Sequence, residues 1–225
     1  MSGIWAVVPM KALDEAKERL SGVLPPALRR ELARAMLEDV LEALAGVAGL
    51  DGVAIVTVDP LAQRLASRYG ARLMEEDAAA GHTAALAAAA RLLASEGRTG
   101  MAALPGDIPL VTAAEIASLL KAHDRAPAFT IVPSHDERGS NAVLLSPPDA
   151  VPLTFGENSY FPHLRAAADC GIAPRVMRLS GIALDIDTPS DLARFFKIES
   201  RTRARALLAG NGMFGGGAEE GGVAA

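Results

Sequence analysis

The sequence predicts a three-layer α/β/α domain built on a mainly parallel, mixed sheet. Two observations lead there. Short runs such as "IWAVVP" (4–9), "GVAIVT" (52–57), "GMAAL" (100–104) and "FTIVP" (129–133) are apolar almost throughout, as strands covered on both faces are. Between them lie longer stretches with apolar residues at helical spacing, which right-handed crossovers lay on the two faces of the sheet. Ligands in such sheets bind beyond the carboxyl ends of the strands, so the residues just after each strand are the ones to read for chemistry.

In chain order, the first helix is expected from Pro25 to Ala48. There Leu28, Leu32, Met36, Val40, Leu44 and Val47 form one stripe, with Arg and Glu on the other face. Further helices are expected at Pro60–Tyr69, Thr83–Ser95, Ala113–His123 and Pro189–Lys197. Further strands are expected at "NAVLLS" (141–146), "RVMRL" (175–179) and "IALDI" (182–186). One domain is expected over 1–209, in which 133–162, rich in Pro, Gly, Asn and Ser, reads as a small lid inserted over the site. The tail 210–225 is low in complexity and expected to be disordered.

Composition excludes several function classes. A net charge of −5 argues against a nucleic-acid partner, which needs a basic surface, but leaves room for a small phosphorylated ligand. Cys170 is the one cysteine, so neither a disulfide framework nor a thiolate metal cluster is available. No apolar run approaches the ~18 residues a membrane span requires, and "IWAVVP" is too short for a secretion signal. The expected setting is therefore cytoplasmic, without a membrane partner. The helix stripes leave room for a homodimer.

Three clusters can carry chemistry. After the first strand, "VVPMKALDEAKERL" (7–20) places Lys11, Lys17 and Arg19 within nine residues, with Asp14, Glu15 and Glu18 between them. Neither G-x-G-x-x-G nor G-x-x-x-x-G-K-[ST] occurs there, so the cations themselves would hold any phosphate. The plain alternative is a solvated helix face with balanced charges. At the end of the third run, "LPGDIPL" (104–110) has Gly106 for a tight turn and Asp107 beyond it. In "ALDIDTPSDL" (183–192), Asp185 and Asp187 share one face of an expected strand while Leu184 and Ile186 take the other; Thr188, Pro189 and Asp191 open a helix. Three acids at strand ends on one edge repel one another unless a cation lies between them, and an all-oxygen donor set suits Mg2+. The simpler reading has Asp187 capping a helix and Asp185 paired with an arginine. The third cluster, "DERGSNAVLLS" (136–146) with "FGENSYFPHL" (155–164), offers hydroxyls and backbone N–H groups for a small anion. Ser159 and His163 lack an orienting acid and do not make a nucleophilic triad.

Taken in order, "VVPMKALDEAKERL", "LPGDIPL", "GSNA", "FGENS" and "LDIDTPSDL" resemble the guanylyltransferases of coenzyme F420 biosynthesis over roughly residues 4 to 196. The resemblance implies a nucleotidyltransferase fold of the GT-A-like kind. It also implies transfer of GMP from GTP to 2-phospho-L-lactate, phosphoenolpyruvate or 3-phospho-D-glycerate, with Mg2+ as cofactor. Carried over by motif, the metal acids are Asp107, Asp185 and Asp187, and the acceptor contacts are Ser140, Gly156 and Ser159. Lys11, Lys17 and Arg19 carry the catalytic cationic role. The nucleotide contacts are these three with Gly81, Thr83 and Gly106. Ser140 stands where Thr is usual, "GENS" lacks the glycine that often precedes the serine, and "GHTAAL" (81–86) replaces a Gly-Leu-Asn-Ala pattern. Two rival readings are a nucleotidyltransferase for a sugar phosphate or molybdopterin, and a nucleotide-binding regulatory module without catalysis.

Overall fold

In the computed structural model, which describes residues 3–13, 16–75, 80–156 and 158–213, seven strands form one mixed sheet. They are β1 (Ile4–Pro9), β2 (Leu50–Val56), β3 (Arg72–Met74), β4 (Gly100–Ala103), β5 (Ala128–Pro133), β6 (Ser140–Ser146) and β7 (Arg175–Val176), in the spatial order β3-β2-β1-β4-β6-β5-β7. The helices are α1 (Pro26–Ala45), α2 (Pro60–Arg68), α3 (His82–Ser95), α4 (Ala113–Ala122), α5 (Tyr160–Asp169), α6 (Ser180–Ala183), α7 (Pro189–Phe196) and α8 (Arg203–Gly210). Among the described residues, no helix is long and apolar enough to cross a membrane.

The uniformly apolar runs are the inner strands, for the reason the sequence implies: both faces are covered. Ala6 and Val8 of β1 point into one core with Leu37, Val40 and Leu44 of α1. Val7 points the other way, into a core with Leu86, Ala89 and Leu93 of α3. A third cluster joins Leu32 and Met36 of α1 to Leu184, Ile186, Leu192, Phe195 and Leu208, and so docks the last two helices.

Strand direction determines where the site lies. β1, β2 and β4 are parallel, and their carboxyl ends open on one edge of the sheet. β6 runs antiparallel to β4, with Ala103 opposite Val143, so its amino end, Ser140-Asn141, lies on that same edge.

Three expectations are corrected, and two elements are added. "IALDI" is not a strand: Ser180–Ala183 is a helical turn, and the chain from Leu184 on is extended without a ladder partner. "RVMRL" pairs only over Arg175–Val176. The stretch 133–162 is not lid throughout, because β6 is an interior strand between β4 and β5 and 160–169 is helical. The expected strand at 141–146 is there; its polar flanks hid only that it belongs to the interior of the sheet. The short edge strand β3 and helix α8 carry too little periodicity to stand out; α8 is capped from a distance, where the Asp39 carboxylate accepts from the Arg203 and Ala204 amides. Asp14, Glu15 and most of the tail, 214–225, lie outside the described residues.

Asp59 shows how the fold fixes the loop after β1. One carboxylate oxygen caps α2 by accepting from Leu61 N and Ala62 N, at 2.8 and 3.0 Å. The other accepts from Leu13 N at 2.9 Å. Asp59→Ala leaves three backbone donors short of an acceptor and is expected to cost ~1–3 kcal/mol, read from urea unfolding; a smaller loss would deny Asp59 this role.

Candidate active site

Lys17 lies at the centre of the charged edge. Its backbone is left-handed (φ 58°, ψ 38°), a conformation that costs a non-glycine residue about 1–2 kcal/mol. That turn sends the side chain inward until only 7 % of it is exposed. The ammonium bonds Asp107 Oδ2 and lies 2.7 Å from Asp187 Oδ1. Burial opposes its charge, but Asp107 and then Asp187 outweigh burial and raise its pKa above the usual lysine value. Burial would likewise raise Asp187, yet Lys17, with Arg19 and Lys11 further off, holds it below the ordinary carboxylate value.

Asp185 is different. Its side-chain partner is neutral: Asn141 Nδ2 donates to Oδ1 at 3.0 Å. Burial, reinforced by the charge of Asp107, pushes its pKa up to about 6. Asp107 Oδ1 is buried without a hydrogen-bond partner among the described residues. The acids are therefore short of positive charge even with Lys17 between two of them. Among the described residues, no three His, Cys, Asp or Glu side chains form a metal-holding group.

A network of single bonds replaces the missing ladder under this motif. Ile186 N donates to Asp107 O at 3.1 Å, which ties the two acid segments together. Asn141 Nδ2 also reaches Ile182 O, and His135 N reaches Ala183 O. The Thr188–Asp191 capping box then starts α7. Leu184 and Ile186 do enter the core, as expected, because an extended chain keeps its two-residue alternation without neighbours. Gly106 lies in a turn at 106–107, as expected, and a Cβ there would also meet Met10 Sδ of the loop after β1. Lys11 and Arg19 are exposed at the same edge, and Lys11 lines a small cavity with Gly81 and His82 at the start of α3.

The loops around Ser140 and Ser159 form the uncharged part. Gly156 has φ 143°, which L side chains rarely adopt. Asn158, standing where relatives of this motif often have glycine, has φ 59°, and asparagine is among the few side chains that tolerate it. Ser159 is buried, and its hydroxyl donates to Ser140 Oγ at 3.3 Å. Thr83 Oγ1 donates to Phe155 O and accepts from Phe155 N, so its side chain clamps this loop to α3. Sequence reasoning gave no role to Asp59 or to the side chain of Asn141, and weighed His163 only as part of a nucleophilic triad; the partners that give each its role lie in other elements. A cavity of about 380 Å3, lined by residues such as His135, Leu179 and Arg194, contains none of these groups.

Comparison with known proteins places the chain in a family. Residues 4–213 match a family model described as "Guanylyl transferase CofC like". A phosphoenolpyruvate guanylyltransferase of Rubrobacter xylanophilus is 41% identical over 191 residues, covering 85% of this chain and 92% of that protein. A 2-phospho-L-lactate guanylyltransferase of Methanothermobacter thermautotrophicus is 32% identical over 203 residues, covering 90% and 88%. A crystal structure described as a nucleotide-diphospho-sugar transferase from Desulfovibrio desulfuricans superposes with a TM-score of 0.74 at 19% identity, covering 95% of this chain and 97% of that one, which establishes likeness of fold.

Asp185 gives a pH signature. Its folded pKa of about 6 lies above the ordinary 3.8, so the folded state binds a proton that the unfolded chain has already released between those values. Stability therefore falls as pH rises from 3.8 through 6, and the cost is complete above 6. In chelator-treated protein, Asp185→Asn should melt higher than the parent above pH 6 and converge with it towards pH 3.8. Thermal melts across pH test this; a pH-independent difference would contradict the assigned shift.

Proposed function

The chain belongs to the CofC-like guanylyl transferase family, and from that premise we propose that it transfers GMP from GTP to the phosphate of a small three-carbon acid, releasing pyrophosphate, in coenzyme F420 biosynthesis. Phosphoenolpyruvate is the acceptor we favour, on the 41% identity to a relative named for it. One observation carries the reading. Two successive residues of β6 touch the two parts of the site: Asn141 holds Asp185 on the charged side, while the Ser140 hydroxyl meets Ser159 on the uncharged side. A phosphorylated carboxylic acid needs that pairing, with charge compensation at one end and neutral donors at the other.

The acceptor's phosphate oxygen forms a bond to the α-phosphorus of GTP as the bond to the bridging oxygen breaks, and pyrophosphate leaves with that electron pair. A phosphate monoester has a second pKa near ~6, so the nucleophile is ionised at neutral pH and needs no general base. Charge is the main obstacle. In this reading Lys11, Lys17 and Arg19 neutralise the nucleotide phosphates and the departing pyrophosphate, and Gly81 and Gly106 let the backbone come close to the nucleotide. Ser140, Gly156 and Ser159 hold the acceptor's carboxylate.

Mg2+ fits the acidic donors: Asp107, Asp185 and Asp187 offer hard oxygens only, Asp107 Oδ1 is buried and unbonded, and Asp185 is destabilised in its charged form. When bound, the ion would supply Lewis-acid neutralisation of phosphate charge. The cytoplasm, where GTP is available, is the setting this reading requires.

The test incubates the protein with Mg2+, GTP and, separately, phosphoenolpyruvate, 2-phospho-L-lactate, 3-phospho-D-glycerate and sugar 1-phosphates, following pyrophosphate and the coupled product by mass spectrometry. Product from a three-carbon acid is expected; product from a sugar phosphate alone, or none, overturns the reading. Lys17→Met is expected to lower turnover by at least ~100-fold. Because the variant leaves Asp107 and Asp187 without their shared cation, Mg2+ should also raise its melting temperature more than that of the parent.

A further inference from the structure

We propose that His163 is the positioning residue of the acceptor site: protonated on Nδ1, it aims the Ser140 hydroxyl and holds the Thr154–Gly156 loop beside it, so that both face the acceptor's carboxylate. The proposal rests on the guanylyltransferase reading above. His163 sits in α5 and is wholly buried. Its own amide donates to Ser159 O at 3.1 Å, which ties the ring to the third acceptor residue.

The ring's protonation follows from its partners. Nε2 lies 3.0 Å from Thr154 N, a backbone amide that can only donate, so Nε2 must present its lone pair. The single proton of a neutral imidazole is then on Nδ1, which lies 2.9 Å from Ser140 Oγ and donates to it. Burial supports the neutral form by lowering the pKa to about 4. Ser140 Oγ also accepts from Ser159 Oγ at 3.3 Å. With two donors aimed at its oxygen, Ser140 has its own proton left to give to a ligand. The Phe155 ring packs edge-on against His163, with centroids 4.8 Å apart, while the Thr83 hydroxyl fixes the Phe155 backbone from the other side. An imidazole meets these demands because it donates at one edge, accepts at the other and offers a flat apolar surface between. The same engagement of both nitrogens keeps His163 from serving as a base towards either serine.

The test compares full-length parent, His163→Phe and His163→Asn, with thermal unfolding to establish that each variant folds. KM is measured for phosphoenolpyruvate at saturating GTP, and for GTP at saturating phosphoenolpyruvate. His163→Phe should raise the acceptor KM by roughly tenfold or more, the loss of one well-oriented hydrogen bond, and change the GTP KM by less than about twofold. His163→Asn, whose amide nitrogen can still donate to Ser140, should recover part of the loss. Equal rises in both KM values, or an unchanged acceptor KM in a folded variant, overturn the proposal. Long-range 15N–1H correlation spectra of histidine-labelled parent protein give a second readout that needs no variant: a proton on Nδ1 of His163 supports the arrangement, and a proton on Nε2 overturns it. A parent protein that guanylylates no acid refutes the function reading instead, and the tautomer measurement still decides the His163 geometry.

Discussion

One buried ammonium ion organises the charged edge of this protein. Lys17 meets Asp107 and Asp187, residues 90 and 170 positions away, and so joins the loop after β1, the end of β4 and the segment that starts α7. Removing these charges from water is costly, and only close pairing offsets that cost. The pairing explains why a lysine accepts a left-handed backbone, since the side chain reaches both carboxylates from that turn. It also explains why Asp185 is the odd member. Two carboxylates divide one cation, and the third, buried near them, holds its proton to a higher pH than an ordinary aspartate.

The site has two regions with different physics. On the charged side, energies depend on counting ions, and the sheet contributes by bringing strand ends together. On the uncharged side, energies depend on which way each hydroxyl and imidazole points. There a chain of neutral hydrogen bonds runs from Thr154 through His163 and Ser140 to Ser159. Such a network specifies orientation well when each member is satisfied. β6 unites the regions because successive residues of a strand face opposite ways, and because it enters the sheet antiparallel, with its first residues at the edge where its neighbours end.

Legibility followed the range of the interactions. The inner strands and amphipathic helices could be read because burial on both faces, or on one face at helical spacing, imprints itself on neighbouring residues. The Thr188–Asp191 cap was equally legible, being a contact across three residues. The extended run at 184–187 was misread as a strand because its alternation is that of a strand; its hydrogen bonds instead go to Asp107, Asn141 and Asp191. The strand at 141–146 was legible from its apolar run, but the polar turns around it placed it in a lid, whereas it is one of the most buried strands in the sheet.

By itself, the sequence determined the layered architecture, the clustering of Lys11, Lys17 and Arg19 after the first strand, and the two short motifs that carry Asp107, Asp185 and Asp187, since each depends on local pattern or short spacing. Tertiary structure decided what those groups do to one another. It turned Lys17 inward, left Asp185 without an ionic partner among the described residues and set Gly106 against Met10. It also made His163 the hinge of a hydrogen-bond chain whose members lie between 4 and 23 residues apart in sequence. Those outcomes depend on distance and burial in three dimensions, and no linear pattern encodes which charge will be the one left unpaired.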